Sequence, residues 1–565
     1  MKALGLLRKA PLWGLFALCL LTLGARAAQP PGAAVASAHP LATAAGIAIL
    51  QSGGNAFDAA VTVSAVLAVV EPYGSGIGGG GFWLLHHAED GKQVMVDGRE
   101  KAPLAATRDM YLDANGEPVK GLSLNGPLAA GIPGEPAALV HIAENYGRLP
   151  LRVTLAPAVA LARDGFEVDE TYRRMAGFRL DVLRKHEAAA KQFLLDNEIP
   201  PVGHVLRQPD LAATLEAIAQ HGFDGFYRGK VAQRLIEGTR AAGGIWSQED
   251  LARYQVIERE PVVGSFAGYR VVSAAPPSSG GVILIEMLNM LEQLGLQNYD
   301  SANQVHLISE TMRRAYEDRA LYLGDTDFVA VPVQQLIDPG YAAKRVRDID
   351  VHKASQSKPM ADVAPKGEDT THFSILDHEG NRVAATLSVN YPFGACFVPP
   401  GTGVLLNNEM DDFSIKPGTP NAYGLVGNEA NAIAPGKRML SSMSPTFLER
   451  EDQVAILGTP GGSRIISMLL IGTLQAAMGA PVEQWVGRAR FHHQYLPDLI
   501  QFEPGALSEE TREVLRRKGH ELKELDEGYG NMQAVMWNRH SGVVSAASDP
   551  RGIGAAHVWS RMQTE

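Results

Sequence analysis

The stretch Gly367-Glu368-Asp369-Thr370-Thr371-His372-Phe373-Ser374 marks a change of texture in the chain. Before it, residues 351–366 are polar, carry Pro359 and Pro365, and show no apolar period. After it, residues 373–376 read as a strand, Asp377-His378-Glu379-Gly380-Asn381 as a turn, and residues 383–389 as a second strand. A loop therefore runs into the first strand of a hairpin, with two threonines at the junction. A threonine hydroxyl is a weak nucleophile until a base takes its proton. If the chain were cut before Thr370, the freed α-amine, with a pKa of ~7.7–8.0, would be that base. The β-branch restricts χ1 and helps hold the hydroxyl in one place. Physical reasoning alone does not select Thr370 from the other threonines; the junction makes it eligible.

Outward from this point the pattern alternates between strands and helical blocks. Residues 82–85 and 94–96 read as paired strands turning at Asp90-Gly91, with Arg99 just beyond. Residues 39–50 read as a helix, and 59–70 as an almost wholly apolar one capped by Asn55 with Asp58 three residues on. Helical spacing recurs at 135–146, 154–163, 172–191, 211–220 and 282–294, and Val305, Ile308, Met312, Ala315 and Tyr316 mark one face of another helix. Residues 262–274 have strand composition; strands return at 404–406, 446–448 and 454–457, and a helix follows at 465–478. Strands at both ends with helices between predict sheets packed between helical layers.

Composition narrows the class. With 565 residues, 45% hydrophobic and 20% charged, the chain suits a soluble globular protein with a sizeable core. A net charge of −11 argues against nucleic acid as a partner. Lys2, Arg8 and Lys9, the short apolar run 12–23 and the small-x-small triplet Ala25-Arg26-Ala27 predict a cleaved signal peptide over residues 1–28, with an uncleaved anchor as the alternative. No stable membrane span is expected after cleavage. Cys19 falls in that segment, so only Cys396 remains and no intrachain disulfide is available. An exported protein, in a bacterial periplasm or secreted, is the expectation.

Several motifs compete with plainer readings. Gly76-Ile77-Gly78-Gly79-Gly80-Gly81 matches G-x-G-x-x-G but leads from a helix into a strand, the reverse of the dinucleotide context; close backbone packing is the favoured reading. His492-His493 are adjacent, no H-E-x-x-H or G-x-S-x-G is present, and neither a metal nor a cofactor is expected. Glu409, Asp411 and Asp412 read as a solvated loop or a cation pocket. Ser441-Ser442-Met443-Ser444-Pro445 is either a polar turn or a set of hydroxyl donors to a carboxylate. Pro460-Gly461-Gly462-Ser463-Arg464 joins a strand to a helix, which suits either a tight turn or an oxyanion site at a helix N-terminus.

Taken in order, Glu71-Pro72, residues 75–81, Asp97-Gly98-Arg99-Glu100, Thr370-Thr371-His372-Phe373-Ser374, Asn407-Asn408-Glu409-Met410-Asp411-Asp412-Phe413, Ser441 to Pro445 and Pro460 to Ser463 resemble the γ-glutamyltranspeptidase (glutathione hydrolase) family. The resemblance runs from about His39 to near the C-terminus. It implies an α/β (α+β) fold of the N-terminal-nucleophile hydrolase type, a four-layer αββα sandwich formed jointly by two chains cut from one precursor. It implies a cut between Asp369 and Thr370, giving a large subunit 29–369 and a small catalytic subunit 370–565. Thr370 would then attack the γ-amide of glutathione or another γ-glutamyl compound and pass the group to water, an amino acid or a dipeptide. Gly461 and Gly462 resemble the oxyanion hole, and Arg99 the carboxylate clamp with Ser441 and Ser442. Asn390, Glu409 and Asp412 resemble the ammonium-binding set, and Tyr423 in Asn421-Ala422-Tyr423-Gly424-Leu425-Val426-Gly427 a lid. Ser388 stands where many members have a threonine beside the nucleophile; serine keeps the hydroxyl and loses the methyl. Alternatives are a related acylase or amidase of glutaryl or cephalosporin type, and a catalytically silent periplasmic γ-glutamyl-binding protein.

Overall fold

The computed structural model describes residues 29–358 and 370–560. Two antiparallel sheets lie at its centre. The first runs in the order Ala555–Ser560, Gly32–Ser37, Thr371–Leu376, Arg382–Ser388, Gly80–His86, Gln93–Gly98, Ile257–Arg259. The second runs Val544–Ser548, Gln533–Asn538, Gln453–Gly458, Thr446–Arg450, Tyr269–Ser273, Val262–Phe266.

Period-two alternation makes the layers. Along Arg382–Ser388, Val383, Ala385 and Leu387 join the core under the helices Pro40–Gln51 and Ala56–Val70. Ala384, between them, points the other way and joins Leu376, Leu84, Phe447, Ile456 and Val535 in the slab between the sheets. The outer face of the second sheet, with Val271, Leu448, Ala455 and Leu457, packs under Gly280–Leu294 and Ile465–Ala477. Helix, sheet, sheet and helix therefore stack as four layers, as expected. All fifteen residues of Ala56–Val70 are buried, consistent with its nearly continuous apolar run. Each buried Val or Leu there contributes about 1.5–3 kcal/mol. The Asn55 side chain accepts from the backbone of Phe57 and Asp58, and Asp58 reciprocates, closing a capping box.

Three sequence expectations are corrected. Residues 262–274 form a hairpin, not one strand, because Ala267 and Gly268 both take positive φ and turn the chain back on itself. The helix expected over 172–191 breaks at His186, whose extended backbone separates Glu170–Leu183 from Glu187–Phe193; the bend lets both Leu183 and Phe193 bury fully. Residues 404–406 form no strand: this buried segment pairs only locally, Leu406 N–H with Phe397 O and Ala395 N–H with Leu406 O. Among the described residues no helix is long and apolar enough to cross a membrane. The expected signal segment 1–28 and the loop ending at Asp369 lie outside the described residues.

Candidate active site

Thr370 stands immediately before the strand Thr371–Leu376. That strand pairs with Arg382–Ser388 in a register whose last pair is Leu387 opposite Thr371. One residue further, the same register sets Ser388 opposite Thr370. Ser388 Oγ accepts from the Asn390 N–H at 2.7 Å, which leaves its own proton for a partner in the pocket. On the strand's other face, Thr371 Oγ1 donates to Glu71 Oε2 at 2.7 Å. Glu71 ends the buried helix, and burial pushes its carboxyl up to about 7 against the hydrogen bonds from Thr371 and Tyr73. The backbone of residues 76–81 comes close here: a Cβ on Gly79 would sit 2.1 Å from Ser388 O. The glycine-rich loop is thus a packing device, as the plainer reading held.

One cavity gathers these groups. Arg99, Thr370, Ser388, Asn390, Glu409, Asp412, Tyr423, Ser441, Ser442 and Gly462 all line it, joined by Leu425, Met443 and Ile465. Gly461 does not line it and lies one residue behind Gly462. The cavity measures about 20 Å³, room for roughly one water.

Part of its wall is ionic. The Arg99 guanidinium donates to Glu409 Oε2 and to Asp412 Oδ2, each at 2.6 Å, and to Met439 O at 3.3 Å. Burial works against the Arg99 charge, but Glu409, Glu100 and Asp412 outweigh it and hold the guanidinium above its usual range. Burial raises the Glu409 carboxyl, and Arg99 pulls it back down. The Arg99 backbone is fixed separately: its N–H donates to Asp97 Oδ1 at 3.0 Å and its carbonyl accepts from Tyr254 OH at 2.7 Å. Asn390 takes a left-handed φ of 74° and donates its amide to Asn408 O at 3.0 Å, leaving its side-chain oxygen as an acceptor.

Tyr423 closes the cavity. Its hydroxyl donates to Asn390 O at 2.5 Å. Its ring lies so near Gly462 that a Cβ there would meet Tyr423 Cδ1 at 2.4 Å. Asp412 Oδ1 accepts from Asn421 at 3.1 Å and Asp411 Oδ2 from the Ala422 N–H at 2.8 Å, tying the loop down. Asp411 is buried and its carboxyl is pushed up to about 6 by that burial. Glu409 and Asp412 therefore belong to the cavity wall rather than to a solvated loop, and Asp411 anchors it from behind.

Sequence reasoning did not single out Asp411 as an anchor, Glu71 as a partner of Thr371, or Arg319, which donates to Ser442 Oγ at 3.2 Å. Glu71 offered a signal, an acid closing an apolar helix; Arg319 offered none, lying in a mixed helical stretch. Elsewhere His306, Glu310 and His520 bring metal-ligating atoms together, but Glu310 is held by Arg313 and Arg314 and the two imidazoles hydrogen-bond at 2.7 Å. That is a polar knot between the helix Ser301–Tyr322 and the residue His520 just past the helix Glu509–Lys518.

Two sheets between helical layers, with a threonine at the start of an inner strand facing a lined cavity, define the class of N-terminal-nucleophile hydrolases. The sequence profile described as gamma-glutamyltranspeptidase matches residues 42–559, and the chain belongs to that family. A glutathione hydrolase proenzyme of Escherichia coli K12 is 42% identical over 530 residues, covering 92% of this chain and 90% of the relative. A protein of the same description from Pseudomonas sp. strain A14 is 44% identical, covering 86% of each. Among solved structures, a cephalosporin acylase from Bacillus halodurans superposes with a TM-score of 0.80 at 29% identity, covering 94% of this chain and 96% of its own. A γ-glutamyltranspeptidase from Helicobacter pylori is 42% identical with a TM-score of 0.55, covering 56% of this chain and 92% of its own.

Proposed function

We propose that the protein is an exported γ-glutamyltransferase and glutathione hydrolase, made as a precursor and cut before Thr370. The observation that carries this reading is one cavity lined by Thr370 together with Arg99, Glu409 and Asp412. A glutamyl head carries one carboxylate and one ammonium. It exchanges with the internal ion pairs without changing the net charge: the carboxylate takes Arg99, Ser441 and Ser442, and the ammonium takes Glu409, Asp412 and Asn390. Because the cavity holds roughly one water, substrate entry requires Arg99 to part from its acids or Tyr423 to lift.

In maturation the Thr370 hydroxyl attacks the Asp369 carbonyl carbon, and the acyl group moves from nitrogen to oxygen. Water then cleaves that ester, leaving the Asp369 carboxylate on a large subunit 29–369 and the Thr370 amine on a small subunit 370–565. The name proenzyme carried by the relatives supports such a cut. In turnover the Thr370 amine takes the hydroxyl proton as oxygen attacks the γ-amide carbon. The oxyanion receives backbone N–H groups of the Gly461-Gly462 turn. The C–N bond breaks, the amine leaves with a proton, and an ester remains. Water or the amine of an amino acid or dipeptide then attacks the ester carbon and frees the Thr370 oxygen. Ser388, opposite Thr370 in register, positions the nucleophile.

The acylase relatives, among them an acylase proenzyme of Pseudomonas sp. strain SE83 at 35% identity, favour a second reading with another acyl group. The paired acids beside Arg99 and the seated Tyr423 support a zwitterionic head instead. Purified protein should release amine from a γ-glutamyl anilide, with Thr370→Ala reduced by about 10⁴-fold or more. Processed protein that turns over a glutaryl amide but no γ-glutamyl compound would replace this reading with the second. Export rests on the segment 1–28, and N-terminal sequencing of the large fragment from a periplasmic extract checks it.

A further inference from the structure

Behind the two serines of the cavity stands a guanidinium with no acid on it. Arg319, near the end of the helix Ser301–Tyr322, is 5% exposed, and among the described ion pairs none includes it. Arg99, by contrast, meets Glu409 and Asp412 at 2.6 Å. Burial lowers the Arg319 pKa, with Tyr316 and Asp412 pulling it back, and an arginine stays charged in such surroundings. Its Nε donates to Ser279 Oγ at 3.0 Å and its Nη2 to Ser442 Oγ at 3.2 Å. Ser279 in turn donates from its hydroxyl and its backbone N–H to Ser441 O, at 2.7 and 2.8 Å.

A serine hydroxyl has one proton to donate and lone pairs to accept. Ser442 Oγ accepts from Arg319, and Ser441 Oγ accepts from the Met443 N–H at 3.1 Å. Among the described contacts neither hydroxyl donates to a protein acceptor. Both serines line the cavity, so both protons are left for what enters it. Arg319 itself does not line the cavity and acts through its neighbours.

We propose that Arg319 is a positioning residue for the substrate's α-carboxylate: it engages the acceptor side of Ser442, turns that hydroxyl's proton into the cavity, and holds the Ser441 peptide through Ser279. Its unbalanced charge strengthens the proton it orients. The inference rests on the γ-glutamyl reading above and extends it to a residue outside the pocket wall.

The test compares a γ-glutamyl anilide with its α-carboxamide analogue in wild type, Arg319→Gln, Arg319→Lys, Ser442→Ala and the Arg319→Gln/Ser442→Ala double variant. Arg319→Gln should raise KM for the carboxylate substrate about tenfold while kcat changes less than about threefold. KM for the carboxamide should move less than about twofold, and the double variant should match Ser442→Ala within about twofold. Arg319→Lys, which keeps the charge but loses the planar fork, should recover part of the loss. Equal effects on the two substrates, or single effects that multiply in the double variant, would overturn the inference. If Arg319→Gln does not fold, Arg319→Lys alone and in the Ser442→Ala background makes the same comparison. An inactive wild type would instead overturn the γ-glutamyl reading, and this inference with it.

Discussion

The cavity wall combines an ionic end, where Arg99 meets two carboxylates at 2.6 Å, with a neutral end made of Thr370, serine hydroxyls and glycine backbone. The ionic end is assembled from side chains more than 300 residues apart, 99 against 409 and 412, which satisfy one another when nothing else is bound. The neutral end is assembled from backbone: a strand start, its antiparallel neighbour, and a turn whose glycine leaves room for Tyr423. The difference divides the labour. Charge that can exchange partners recognises a zwitterion, whereas a rigid neutral frame keeps a hydroxyl in place for attack.

Removing the arginine attacks the ionic end alone. Arg99→Ala leaves the buried Glu409 and the half-buried Asp412 without their guanidinium, and kcat/KM for a γ-glutamyl anilide should fall about 10²–10³-fold with processing intact. A change below about threefold would mean that the ionic end does not recognise the head group. Steady-state kinetics on gel-verified, processed protein decides it.

Behind the Thr370 strand, outside the cavity wall, lies an ionisable group, Glu71, which accepts from Thr371. Its carboxyl is raised from 4.5 to about 7, so between those values the native state holds a proton that the unfolded chain has released. Relative to Glu71→Gln, the wild type should therefore lose stability as pH rises from about 4.5 to 7, by roughly 3 kcal/mol in all, with no further change above that range. Urea midpoints of the two proteins at pH 5 and pH 8 measure the gap. A gap independent of pH would show that Glu71 is not held protonated beside Thr371. The smallest effect is expected at Ser388→Thr. The added methyl restricts the rotamer and keeps the hydroxyl, so turnover should change by less than about threefold. A loss of a hundredfold would show that the wall opposite Thr370 has no room for the methyl.

How legible each end was follows from how it is made. The strand at 373–376, the apolar helix at 59–70 and sheets packed between helical layers followed from alternation and periodicity, whereas the four-layer arrangement came through the family resemblance. The assignments of Arg99, Asp412, Ser441, Ser442 and Tyr423 came through the ordered motifs of the family, and the fold brings all five to one cavity. What stayed hidden depends on contacts across the layers. Nothing near Arg319 in sequence announces Ser442, 123 residues on. The turn at Ala267-Gly268 lacks the Asn-Gly or Asp-Gly signal, so two strands read as one. The run 172–191 keeps a helical composition through His186, and the break there serves the burial of Leu183 and Phe193.

The central claim is that Thr370 becomes the first residue of a chain and then acts as nucleophile. Purified wild-type protein run on a denaturing gel, with the smaller fragment sequenced from its N-terminus, tests it directly. The account predicts two fragments, the smaller beginning Thr-Thr-His-Phe-Ser from Thr370, and a single uncut band for Thr370→Ala. An active wild-type enzyme that stays in one piece, or a small fragment beginning at any other residue, would contradict it.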